Sequence, residues 1–289
     1  LVKPLEEAAL DRAITRAEAL MAGGQGAKQR RGKCLAVIGA RGGVGASTIA
    51  GNLAWIMAEQ LRRRVMLVDL DLQFGTTAYA FDLQPAHGLR EALEDPERVD
   101  EVFLERASQE IGERLRVLCD EEALDAPVDA KPDAYGALIE TLRGAYDVVV
   151  LDLPHTLLAQ QPDLMPHLSD ALLLTTVTLP GLRDTNRLIA AFNEHGPECR
   201  VKVALNHLSK RGPEQMTVTD FTKNLRGPVA ATLPFDGGAT IRAMQGGKPV
   251  GETAPRSRLL KQLHALGLQL AGAGRQQPSR SLLARLFRR

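Results

Sequence analysis

Three segments of the chain carry residues whose types and spacing suit a phosphorylated ligand. The first is Gly39-Ala-Arg-Gly-Gly-Val-Gly-Ala-Ser-Thr48, which lies between an apolar run and a helical pattern. Glycines at 42, 43 and 45 let the backbone turn tightly and aim its N–H groups inward. The helix that follows adds its N-terminal partial positive charge, and together they form a nest for anions. Ser47 then either places its hydroxyl on Mg²⁺ or caps the helix in the ordinary way. The second segment is Val68-Asp-Leu-Asp-Leu-Gln-Phe-Gly75. Alternation puts Asp69 and Asp71 on one face at the carboxyl end of a predicted strand. There they help hold a metal shell or orient a water, or stand as solvated loop acids. The third is Val148-Val-Val-Leu-Asp-Leu-Pro154. An acid closing a hydrophobic strand, here Asp152, is well placed to support Mg²⁺ in a phosphate-binding α/β fold.

The elements that must position these groups are legible as alternating patterns. Apolar runs at 34–38, 65–70, 146–151, 171–177, 201–205 and 229–233 are nearly continuous in Val, Leu, Ile and Ala. Such runs suit strands covered on both faces. Helical patterns lie between them, at 47–61, 133–143, 183–194 and 258–270. The alternation predicts a parallel sheet in a three-layer α/β domain. In such sheets the ligand sits beyond the carboxyl ends of the strands, which is where all three segments fall.

Composition narrows the function classes. Of 289 residues, 44% are hydrophobic and 25% charged, which excludes a largely disordered chain. No apolar run approaches the ~18–20 residues of a membrane-spanning helix. The net charge is only +1, and aromatics are 4%, so neither a bulk field nor a stacking platform favours nucleic acid as a partner. Three scattered cysteines, Cys34, Cys119 and Cys199, have no metal-ligand spacing and suggest reduced thiols in a cytoplasmic setting.

The flanks differ from the middle. Residues 5–21 show an amphipathic helical pattern, and 22–32 are rich in glycine and cations, as in a linker. Residues 33–271 form the central domain, and 272–289 combine a second linker with a basic tail. In that tail Leu282, Leu283, Leu286 and Phe287 share one helical face, with Arg285, Arg288 and Arg289 away from its centre. Such a helix either lies in an anionic membrane surface or serves as a solvated tail or docking peptide.

Taken together, these motifs resemble the MinD/ParA class of P-loop ATPases over roughly residues 33–270. The shared features are a deviant Walker A (Arg41 to Thr48), Asp69-Leu-Asp-Leu-Gln73, and a Walker B ending at Asp152-Leu-Pro154. Leu182-Arg-Asp-Thr-Asn-Arg187, Leu205-Asn206 and Leu233-Pro-Phe-Asp236 complete the match. The resemblance implies a P-loop NTPase fold that binds ATP and Mg²⁺ and forms a homodimer with ATP sandwiched between subunits. It implies a nucleotide site of Arg41, Gly42, Gly43, Val44, Gly45, Ala46, Ser47 and Thr48. Ser47, Asp69 and Asp152 would serve Mg²⁺, Asp71 would position the attacking water, and Asn206, Pro234 and Phe235 would hold adenine. More narrowly, Asp69 to Gly75, His87-Gly-Leu-Arg-Glu-Ala-Leu93, Val99 to Leu104 and Gly181-Leu-Arg-Asp184 resemble the CpaE/TadZ proteins of tight-adherence (Flp, type IVb) pilus assembly. In that family a receiver-like domain precedes the ATPase, and Val2-Lys-Pro-Leu5 with the helix after it resembles the end of such a domain. The resemblance implies a cytoplasmic factor, peripheral to the inner membrane and often polar, that engages the pilus secretion machinery.

The chain departs from the pattern at two places. The lysine directly before the Walker A Ser/Thr is Ala46, and the glycine that opens the motif is Ala40. A cation at the β- and γ-phosphates is thereby lost. The second lysine of the class, which reaches the partner subunit's nucleotide, is matched by Arg41, whose planar fork suits phosphate oxygens. ATP binding with weak or slow hydrolysis is therefore the expectation. A nucleotide-bound scaffold that does not hydrolyse and a ParA-like DNA-segregation ATPase are the alternatives.

Overall fold

The computed structural model describes residues 31–84, 86–126, 128–208 and 216–272. The expected receiver-like helix at 1–21, most of the 22–32 linker and the basic tail lie outside the described residues.

Eight strands form one sheet in the order β3-β4-β2-β5-β1-β6-β7-β8. They are β1 (Lys33–Gly39), β2 (Val65–Asp69), β3 (Gln109–Ile111), β4 (Leu115–Leu118), β5 (Val148–Asp152), β6 (Asp170–Thr175), β7 (Arg200–Leu208) and β8 (Val229–Pro234). Every pairing is parallel except the short edge pair β3–β4. The chain moves outward from β1 to β2 and β4, returns to β5 beside β1, then continues through β6 to β8. That reversal opens a crevice at the carboxyl ends of β1, β2 and β5, the usual ligand position in an open α/β sheet.

Strand periodicity divides β1 between two cores. Cys34, Ala36 and Ile38 face one apolar layer. There they meet Leu138, Ile139 and Leu142 of one helix and Ile189 and Phe192 of another. Leu35 and Val37 face the other layer, with Ile49, Leu53, Leu259, Leu263 and Leu266. Both faces of the sheet are thus covered, which is why the strands read as unbroken apolar runs rather than alternating ones.

The helix after β1 is α1 (Ala46–Trp55), extended by a π-helical segment, Ile56–Gln60. Asn52 ties it to a distant part of the chain. Its Nδ2 donates to the Thr48 carbonyl at 2.8 Å, and its Oδ1 accepts the Val250 N–H at 2.8 Å. At the opposite end of the sheet, Lys33 Nζ donates to the Leu270 carbonyl at 2.7 Å and lies 3.2 Å from Asp170 Oδ2. This bond fastens the end of the last helix, Arg258–Ala271, to the start of the first strand. All three cysteines are buried and free, as expected of reduced thiols.

Candidate functional site

The glycine-rich loop, the start of α1 and the loops after β2 and β5 surround a cleft of about 420 Å³. Arg41 to Thr48 line it, together with Asp71, Thr76, Asp152 and His155. Gly43 and Gly45 take φ of 76° and 87°, in the left-handed region that L side chains avoid, so glycine is required there for the turn. Gly45 immediately precedes the helix, and no side chain caps that end. The first-turn N–H groups of α1 are therefore open toward the cleft, as an anion site needs. Ser47 is inside the first turn rather than at the cap position, and its hydroxyl donates to the Asp152 carboxylate.

Asp69 and Asp152 are register partners on adjacent strands and both are buried. Burial lifts both carboxyls; repulsion from Asp71 adds to it at Asp69, and repulsion from Asp69 and Asp71 adds to it at Asp152, which rises to about 7. Asp152, Ser47 and Asp71 offer oxygen donors only, a set that fits Mg²⁺ better than a softer metal. Among the described residues no cluster of three or more His, Cys, Asp or Glu could hold a metal by itself. A cation here would therefore be shared with phosphate oxygens and water. His155 lines the cleft as an isolated imidazole.

The structure gives the two acids of the second segment different positions. Asp71 faces the cleft. Asp69 does not line it: Oδ1 accepts the Asp71 N–H at 3.1 Å and Oδ2 the Thr77 N–H at 3.1 Å. The geometry thus makes Asp69 the anchor of the 71–77 loop, one step back from the metal position expected for it. Gly75 closes that loop through its N–H, which donates to the Asp71 carbonyl at 2.8 Å.

Asn206, on β7, is buried and donates from Nδ2 to the Val44 carbonyl at 2.8 Å. That contact braces the glycine-rich loop and leaves Oδ1 as the acceptor. Pro234 ends β8, and Phe235 follows with 63% of its surface exposed. Arg41 is half exposed and pairs with Asp184, on α2 (Leu179–His195). No local sequence pattern signals this pairing. The sequence places Asp184 at a helix start beside Arg183 and Arg187, as part of a dimer-face network or as a cap and solvated face of that helix, and its partner lies 143 residues away.

The match to a known protein family covers residues 32–179 and is to the AAA domain model. The chain belongs to the MinD/ParA family of P-loop ATPases. Across 260 residues this family member is 25% identical to the septum site-determining protein MinD of Thermotoga maritima, spanning 84% of this chain and 89% of that one. It is also 25% identical over 233 residues to the antiactivator FleN of Pseudomonas aeruginosa, covering 78% and 81% of the two chains. In fold it matches a ParA family ATPase from Chlorobium tepidum with a TM-score of 0.74 at 23% identity, over 82% of this chain and 98% of that one. Pyrococcus horikoshii MinD, solved with Mg-ADP, matches with a TM-score of 0.69 at 20% identity, over 81% and 94%. Among the described residues no helix is long and apolar enough to cross a membrane.

Proposed function

We propose that this MinD/ParA family member is an ATP-dependent switch that binds ATP with Mg²⁺ and pairs with a second copy across the nucleotide. The carrying observation is the cleft, where open N–H groups, the Ser47–Asp152 pair and Asp71 converge on one volume. The backbone of Arg41 to Thr48 cradles the phosphates. Mg²⁺, when bound, supplies positive charge to the phosphate oxygens, with Ser47 as ligand and Asp152 behind it. Asp71 orients the attacking water. Asn206 Oδ1 accepts from the exocyclic amine of adenine, which selects against guanine, whose carbonyl would face it. Phe235 and Pro234 flank the base.

Arg41 must leave Asp184 to reach a phosphate on a second subunit. A partly exposed ion pair is worth only about 0.2–1 kcal/mol. A planar fork on a phosphate in a desolvated interface is stronger. The exchange therefore favours the dimer once ATP is present, and Asp184 holds Arg41 until then. Ala46 favours slow turnover, and is the observation behind the second reading, a clamped scaffold that does not hydrolyse.

Within this switch reading, the CpaE/TadZ-like segments support a role as a localisation factor for tight-adherence pilus assembly at the inner membrane. The tail residues Leu282, Leu283, Leu286 and Phe287 would supply the membrane contact. Two tails on one dimer would bind through raised effective concentration. The test is a single-turnover assay with protein in excess over labelled Mg·ATP. Turnover that vanishes in Asp71→Ala supports the switch. Tight binding without turnover selects the scaffold, and no binding rejects both.

A further inference from the structure

One cluster of charged side chains lies outside the cleft. The segment after β4 carries Asp120 and Glu122, both buried. Glu122 Oε1 lies 2.9 Å from His87 Nδ1, and Oε2 accepts from Arg90 Nη1 at 2.7 Å. Arg90 also donates from Nε to Glu94 Oε1 at 2.9 Å, and its backbone N–H to Asp120 Oδ2 at 2.7 Å. Burial pushes the Glu122 carboxyl up, but the bonds from His87 and Arg90 outweigh it and hold the group below its usual range. Glu122 is thus an ionised side chain fixed at both oxygens.

The main chain of the same residue reaches the catalytic loop. Glu122 N–H donates to the Leu72 carbonyl at 2.7 Å. Leu72 is buried and directly follows Asp71. The loop therefore has two anchors. Asp69 holds it from inside the site, through the Asp71 N–H. Glu122 holds it from outside, through the Leu72 carbonyl. Within the loop, Asp71 Oδ1 accepts the Phe74 N–H at 3.0 Å, so the carboxylate moves with the turn.

We propose that Glu122, locked by Arg90 and His87, is a positioning residue that sets the Asp71 loop from the far side of β4. The inference rests on the reading of Asp71 as the group that orients the attacking water. It goes beyond that reading by extending the machinery to a helix, Gly88–Glu94, that contributes nothing to the cleft lining. It also gives a physical role to the His87–Leu93 segment.

The experiment compares the full chain with Arg90→Ala, Glu122→Ala and Arg90→Lys. Three quantities are read: Mg·ATP affinity, single-turnover rate, and hydrogen exchange of the amides from Asp71 to Gly75. In Arg90→Ala and Glu122→Ala, affinity stays within about twofold, because the glycine-rich loop and Asn206 keep all their contacts. Turnover falls about 10–100-fold, as a displacement near 1 Å would give. Exchange in the loop rises about tenfold as its outer anchor loosens. Arg90→Lys, which keeps the charge, recovers most of both. Wild-type turnover and wild-type loop exchange in Arg90→Ala would overturn the inference, as would faster exchange spread evenly over the whole sheet. A wild-type chain that binds no ATP defeats the functional reading instead; the exchange comparison then still supports or overturns the anchor.

Discussion

Replacing Gly75 with alanine puts a methyl carbon 2.5 Å from the Asp71 carbonyl oxygen and 2.7 Å from Asp69 Oδ2. Ordinary contact begins nearly an ångström farther out, and neither oxygen is free to retreat. The carbonyl is accepting the Gly75 N–H, and the carboxylate is holding the N–H groups of Asp71 and Thr77. The turn must open by roughly 0.5–1 Å, at an overpacking cost of about 1–3 kcal/mol. Gly75 does not adopt a positive φ, so this cost is steric and owes nothing to backbone preference. Asp71 moves with the turn, and a displacement of that size costs about 100-fold in a positioned reaction. Two measurements check this on the same protein. Urea unfolding should show Gly75→Ala destabilised by the stated amount, and single-turnover hydrolysis should fall about 100-fold relative to the wild-type rate. ATP affinity should hold, because the loop at 41–48 is untouched. A Gly75→Ala protein as stable and as fast as wild type would refute the claim that this turn holds Asp71 in place.

Asn206→Ala strands the Val44 carbonyl and removes the reader of the base. A buried acceptor left unpaired costs about 1–3 kcal/mol of folding stability, which urea unfolding should show, while titration calorimetry should show ATP binding weakened and the preference over GTP gone. Arg41→Ala should leave ATP binding to the monomer nearly intact while abolishing ATP-dependent dimerisation in analytical ultracentrifugation, and unchanged dimerisation would remove the role across the interface. Asp120 gives a pH signature. Burial raises its carboxyl to about 6, so the folded state holds this proton more tightly than the unfolded chain does. The stabilisation is present below about pH 4, fades as pH rises to about 6, and is absent above, for a total of up to about 3 kcal/mol. Asp120→Asn should flatten the urea-stability profile between those limits, and a profile of unchanged slope would count against the burial argument.

Much of this molecule is written in its periodicities. The six long strands were evident because burial on both faces makes them unbroken apolar runs. The short edge pair, Gln109–Ile111 and Leu115–Leu118, carries no such signal, since strands of three and four residues with polar positions among them show no apolar run. The helix predicted from Arg183 starts at Leu179, because Thr178 caps it by accepting the Gly181 N–H and Pro180 suits a first turn. At the site, the glycine spacing and the acids after each strand could be read locally. The Arg41–Asp184 pair, the brace from Asn206 to Val44 and the Glu122 anchor could not. Each joins residues far apart in sequence, and no local pattern distinguishes a bound arginine or a bracing amide from a solvated one.

The bond from Lys33 to the Leu270 carbonyl brings residues 32 and 272 to the same rim of the domain, away from the nucleotide mouth. The domain is therefore nearly a closed ring with a small gap in it, and a short bridge across that gap would yield a circular permutant if the chain were opened at another surface loop. Any neighbour joined at either point starts from the same rim. A nucleotide-driven change could reach such a neighbour by travelling the length of the strands or by joining two copies at their mouths, which sets two such rims in one assembly without distorting either.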